Sequence, residues 1–110
     1  MITAVFKMAE GKTVSFSVSG HSGFDTEGKD IVCAAVSGAV QAVIAVIDGK
    51  MGLTGCFSIK NNGKNDVSCD ISRLSGSERE MAETVLDGFK MLMEEWENDF
   101  PKNVNVILLP

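Results

Sequence analysis

With 110 residues, 45% of them hydrophobic, and a formal net charge of −5, the chain is sized for one domain whose core needs no disulfide or metal to hold it. The acidic balance argues against direct nucleic-acid binding, because a phosphate backbone is met by a basic face. It favours a basic partner instead, most strongly at low salt.

Residues 2–8 alternate, with Ile2, Ala4, Phe6 and Met8 on one face. Glu10-Gly11 turns the chain, and residues 12–19 alternate again, with Val14, Phe16 and Val18 inward and Thr13, Ser15 and Ser17 outward. The pair reads as an antiparallel hairpin. Met1 leads straight into this alternation, so the expectation is a chain without a signal peptide. Residues 20–30 carry Gly20, Gly23 and Gly28 among charged side chains, with Phe24 as the sole apolar anchor, and read as a mobile loop.

Asp30 is a good N-cap for a helix over residues 31–47. That helix is apolar almost all round. Before Asp48 its polar side chains are Cys33, Ser37 and Gln41, at i, i+4 and i+8, which form a single stripe. The run is short for a membrane span, is interrupted at Ser37, Gly38 and Gln41, and lacks aromatic or basic flanks, so no membrane association is expected. So little polar surface requires cover on several sides: the sheet on one, a second helix or a second subunit on another.

Residues 53–60 and 64–71 read as a second hairpin around Asn61-Asn62-Gly63. The apolar pattern favours a three-residue loop that pairs Phe57 with Val67 and Leu53 with Ile71. That register puts Cys56 and Cys69 on opposite faces, against a disulfide. Ser77-Glu78-Arg79-Glu80 reads as a capping box. Met81, Ala82, Val85, Leu86, Phe89, Leu92, Met93 and Trp96 follow at helical spacing as core positions, opposite a solvated face of Glu83, Asp87, Lys90, Glu94 and Glu97. Pro101 ends the helix. Residues 103–109 close as a strand, with Val104, Val106 and Leu108 alternating. The order β-β-α-β-β-α-β predicts a single α+β domain over residues 1–110, a mostly antiparallel sheet packed against two helices.

The chemistry concentrates between His21, the sole histidine, and Cys33. A cysteine nucleophile works as the thiolate, and an ordinary thiol with a pKa of about 8.5 is only slightly ionised at neutral pH. A helix N-terminus and a nearby imidazolium both favour the thiolate. Cys33, third in the helix after Asp30, meets the first condition, and a strand-ending His21 facing that turn meets the second. Such a pair suits acyl transfer, with an oxyanion hole from the first helical amides or the glycine loop. Asp30 either caps the helix or orients His21, and Ser37 either bonds the sulfur or fixes the local backbone. The same residues also read plainly as a small core thiol and a surface histidine. The three cysteines, with no Cys-x-x-Cys pair and one histidine, fit no familiar zinc spacing, so neither metal nor cofactor is implied. Reduced thiols suit a cytoplasmic protein.

Gly20-His21-Ser22 followed by Asp30-Ile31-Val32-Cys33-Ala34-Ala35-Val36-Ser37 resembles the ribosomal-processing cysteine protease (Prp) family of bacteria, over essentially the whole chain in length and element order. The resemblance implies His21 as base and acid, Cys33 as nucleophile, and supporting motif positions at Gly20, Asp30 and Ser37. It implies a homodimer with a mobile loop between His and Cys. It also implies an endopeptidase that removes the N-terminal extension of a large-subunit ribosomal protein after a pair of bulky aromatic residues, in support of ribosome assembly. Phe24 is then the candidate contact for those aromatics. The rival expectations are a non-catalytic dimeric ribosome-assembly module and a redox-sensing thiol protein.

Overall fold

The computed structural model describes residues 1–26, 29–60 and 66–110. The first alternating pair forms β1 (Ile2–Ala9) and β2 (Lys12–Ser19), antiparallel, joined at Glu10 (φ 53°) and Gly11 (φ 78°). Two successive positive φ values are what a tight two-residue hairpin turn needs. The register slips between Lys7 and Met8. Beside this bulge, Thr13 is fully buried, contrary to its expected outward position. Its amide donates to Asp87 Oδ1 at 2.8 Å.

Helix α1 (Ile31–Ile44) follows the loop and continues as a π-helical segment over Ala45–Lys50, beyond the expected end at 47. β3 (Phe57–Ile59) and β4 (Asp66–Asp70) form the second hairpin. β3 is much shorter than residues 53–60, because Gly52 and Gly55 adopt left-handed φ (70° and 89°) that a strand excludes. Its register also departs from expectation. Phe57 pairs with Cys69, and Ile59 with Val67. A shift of two residues preserves which face each side chain takes, so burial alone could not tell the two registers apart. The Asn61-Asn62-Gly63 turn lies outside the described residues. Leu53 does not pair with Ile71; its amide donates to the Ile47 carbonyl at 3.0 Å.

Helix α2 (Gly76–Asp99) starts with Ser75 at the N-cap position, where no side chain caps it, so Ser77 falls inside the first turn and the capping box is not made. Arg79 organises the entry instead: its Nη1 donates back to the carbonyls of Ser72 and Leu74 at 3.0 and 3.2 Å. β5 (Val104–Leu109) returns parallel to β1, and the sheet order is β3-β4-β2-β1-β5. Three of its pairings are antiparallel, as expected.

One face of the sheet carries the core. Ile2, Phe6, Phe16, Cys69 and Val104 meet Val32, Val36, Val40, Val43 and Ile47 of the α1 segment and Leu86, Phe89 and Met93 of α2. Phe16 and Phe89 lie 4.9 Å apart between ring centroids, with Phe6 against both. Ile31–Lys50 is long and apolar enough to cross a membrane, yet its valine stripe is buried in this core. Ala34, Ala35 and Ala42 on its outer face are exposed.

The charged face of α2 is not simply solvated. Glu83 is buried against Arg79 (3.1 Å) and Lys12 (3.9 Å), and Glu97 accepts the Val106 amide at 2.6 Å. Two expected core positions are exposed: Met81 at 57% and Leu108 at 48%. The aromatic cluster joins sheet to helix, so Phe89→Ala should lower unfolding free energy by about 3–5 kcal/mol in denaturant melts.

Candidate active site

The site is assembled where β2 runs out and α1 begins. Gly20 leaves β2 at φ 89° and packs so closely on the chain start that a Cβ there would lie 2.4 Å from the Met1 carbonyl oxygen. Only glycine satisfies both demands. His21 follows, exposed, and then Ser22, buried.

Asp30 joins the two ends of the segment. It is the N-cap of α1, with Oδ1 accepting the Cys33 amide at 2.9 Å. Its other oxygen, Oδ2, accepts from the Ser22 hydroxyl and from the amides of Phe24 and Asp25 at 3.1 and 3.3 Å. Burial of this carboxyl works to raise its pKa. The hydrogen bond from Ser22, then those from the Cys33, Asp25 and Phe24 amides, outweigh that and bring it from 3.8 to about 2. The carboxylate is therefore ionised through the neutral range.

Cys33 is half-buried, in the first turn of α1 as expected. Its Sγ accepts a hydrogen bond from the Ser22 backbone amide at 3.2 Å. A backbone N–H is thus aimed at the sulfur from the residue that follows His21. The amides of Cys33 and Ala34 are engaged by Asp30, through its carboxylate and its carbonyl respectively. The other thiols are also free but buried. For Cys69, burial first, then the neighbouring Cys56 and Asp70, push the pKa up to about 12, which makes it inert.

Hydrogen bonds thus join Ser22, Asp30 and Cys33, and Gly20 and His21 are the two residues that lead into Ser22. Ser37 sits one turn further along α1 and accepts from Gln41 Nε2 at 3.4 Å. It lines a groove of about 310 Å³ between α1 and the sheet, with Val36, Val40, Ile59 and Val67. Phe24 is 44% exposed and packs edge-on against Phe100, with centroids 5.5 Å apart. Sequence reasoning missed the structural parts of Ser22 and Asn103. The Ser22 carbonyl accepts from Asn103 Nδ2 at 2.9 Å across 81 positions of chain. Nothing local in the sequence marks Asn103. Ser22, in contrast, stands beside the histidine, where a small hydroxyl residue is a ready partner for a capping carboxylate.

A family model described as cysteine protease Prp matches residues 1–105. The chain belongs to the Prp cysteine protease family. The "Ribosomal processing cysteine protease Prp" of Bacillus subtilis (strain 168) is 30% identical over 111 residues, covering 96% of each chain. Solved structures share the fold, among them the following two. SMU.848 from Streptococcus mutans has a TM-score of 0.82 at 23% identity, covering 99% of this chain and 94% of its own. The essential ribosomal processing protease Prp from S. aureus, in complex with a covalently linked product peptide, has a TM-score of 0.78 at 22% identity, covering 98% and 99%. As a Prp-family member the chain is a cysteine protease, a hydrolase.

Gly20→Ala should cut peptidase activity by about tenfold or more and cost about 1–3 kcal/mol, read by turnover and thermal melts. Asp30 should show a defined acid dependence. Its pKa is depressed, so its stabilising contribution is full above 3.8 and is lost as pH falls through about 2. The melting-temperature gap between wild type and Asp30→Asn should therefore narrow over that window and stay constant above it.

Proposed function

We propose that Cys33 is the nucleophile of this Prp-family protease and His21 its base and acid. The observation that carries this is the Ser22 amide on Cys33 Sγ, in the first turn of α1, one residue beyond His21. The thiolate attacks the scissile carbonyl, and the imidazolium gives its proton to the leaving amine. Water, activated by His21, then releases the acid from the thioester. Developing negative charge on the carbonyl oxygen is met by amides of the glycine loop or by those of Ile31 and Val32 at the start of α1. Asp30 holds the loop and the helix start in register. Ser37 and its groove lie along the same helical stripe.

The substrate in this reading is the N-terminal extension of a large-subunit ribosomal protein, cut in the cytoplasm in support of ribosome assembly. The family and the B. subtilis relative's ribosomal processing role support it. A basic ribosomal segment suits a protein of net charge −5. Phe24 contacts the bulky aromatic residues before the cut once it leaves Phe100, and the segment around it, residues 22–26, moves to admit them. A second copy of the chain covers the exposed alanines of α1 and makes a homodimer.

Incubation with a peptide carrying the extended ribosomal-protein N-terminus, read by mass, tests this. Wild type should cut once, Cys33→Ala should lose activity by a factor on the order of 10⁴ or more, and His21→Ala by about 10²–10⁴. An uncut peptide with wild type, or equal cutting by Cys33→Ala, rejects it. Retained ribosome-assembly function without the thiol would favour a binding module instead.

A further inference from the structure

The turn between α2 and β5 grips the His21 loop from outside at two points. Phe100, the C-cap residue of α2, packs its ring edge-on against Phe24. Asn103, three residues on, donates from Nδ2 to the Ser22 carbonyl oxygen at 2.9 Å. The turn is itself firmly built. The amides of Asn103 and Val104 donate to the Phe100 carbonyl at 2.9 and 3.0 Å, and the Asn103 carbonyl accepts the Ile2 amide at 2.8 Å. The backbone of Asn103 is thus tied to the start of β1, while its side chain reaches the loop.

Ser22 consequently has every polar group committed. Its amide is on Cys33 Sγ, its hydroxyl on Asp30, and its carbonyl on Asn103. The first two ties join Ser22 to Cys33 and Asp30, within the same stretch of chain. The Asn103 tie reaches the segment from the sheet.

We propose that Asn103 is a positioning residue for the protease reaction: by holding the Ser22 carbonyl it keeps the Ser22 amide on Cys33 Sγ, and with it the backbone that carries His21. Loss of the Nδ2 donor leaves a part-buried carbonyl to find water, and the Ser22 backbone turns to reach it. The amide then swings off the sulfur, and the attacking sulfur loses the hydrogen-bond donor that orients it. This rests on Cys33 being the nucleophile.

Two variants test it. Asn103→Ala removes the side-chain amide. Asn103→Asp keeps its shape while replacing the donor with an acceptor, so the comparison survives a folding defect in the alanine variant. The direct readout is alkylation of Cys33 by iodoacetamide at neutral pH, followed by intact mass; the burial of Cys56 and Cys69 leaves a single adduct to follow. Alkylation should slow by about tenfold in both variants. kcat on the extension peptide should fall by a similar factor, with KM within about twofold of wild type. Wild-type alkylation rates in both variants, or wild-type behaviour of Asn103→Asp, would overturn the proposal. So would a kcat loss that disappears when the assay is run well below the variant's melting temperature. Full activity of Cys33→Ala is a separate failure: it rejects the nucleophile, while alkylation still judges what Asn103 does to the thiol.

Discussion

The Asp30 carboxylate accepts four hydrogen bonds, one from the first turn of α1 and three from the loop before it. A helix start and a glycine-rich loop are each weakly constrained by themselves: one has unpaired amides, the other few side chains to pack. One buried anion resolves both. It satisfies the Cys33 amide on one oxygen and gathers the Ser22, Phe24 and Asp25 donors on the other. The sulfur and the residue after the histidine are thereby brought within hydrogen-bonding distance. The cost of burying that charge is met by the donors that surround it, which is why its acidity is raised rather than lowered.

The rest of the fold supplies a fixed frame for this junction. The α1 segment lays Val32, Val36, Val40, Val43 and Ile47 on the sheet, which sets the rotation of the helix and so the direction in which Cys33 points. Gly20 lets the strand end press against the chain start. The α2–β5 turn adds a hold from a third direction, through Phe100 and Asn103. The site is therefore a meeting of β2, α1 and the turn before β5, each of which is anchored in the core.

Much of this was legible in the sequence because it is local. The β1–β2 alternation, the Asp30 cap and the placement of Cys33 in the first turn each depend on residues within one turn or one strand. The failures arose where distant partners decide. Ser77-x-x-Glu80 has the pattern of a capping box, but Arg79 reaches back to Ser72 and Leu74 and the helix starts earlier. The second hairpin kept its buried face and lost its register, since a two-residue slide leaves the pattern of burial unchanged. Thr13 looked outward by parity until the bulge in β1 buried it. Asn103 carries no local signal, because its partner stands at the other end of the chain.

Glu97 belongs by its spacing to the wetted face of α2, and instead takes the Val106 amide on the open side of β5. That strand is one of the sheet's two edges, and Ile107, Leu108 and Leu109 along it are exposed. An exposed apolar edge strand invites a strand from another molecule through its outward amides. The last turns of α2 therefore close part of that edge: the carboxylate of Glu97 occupies an amide with which a neighbouring strand would have to pair.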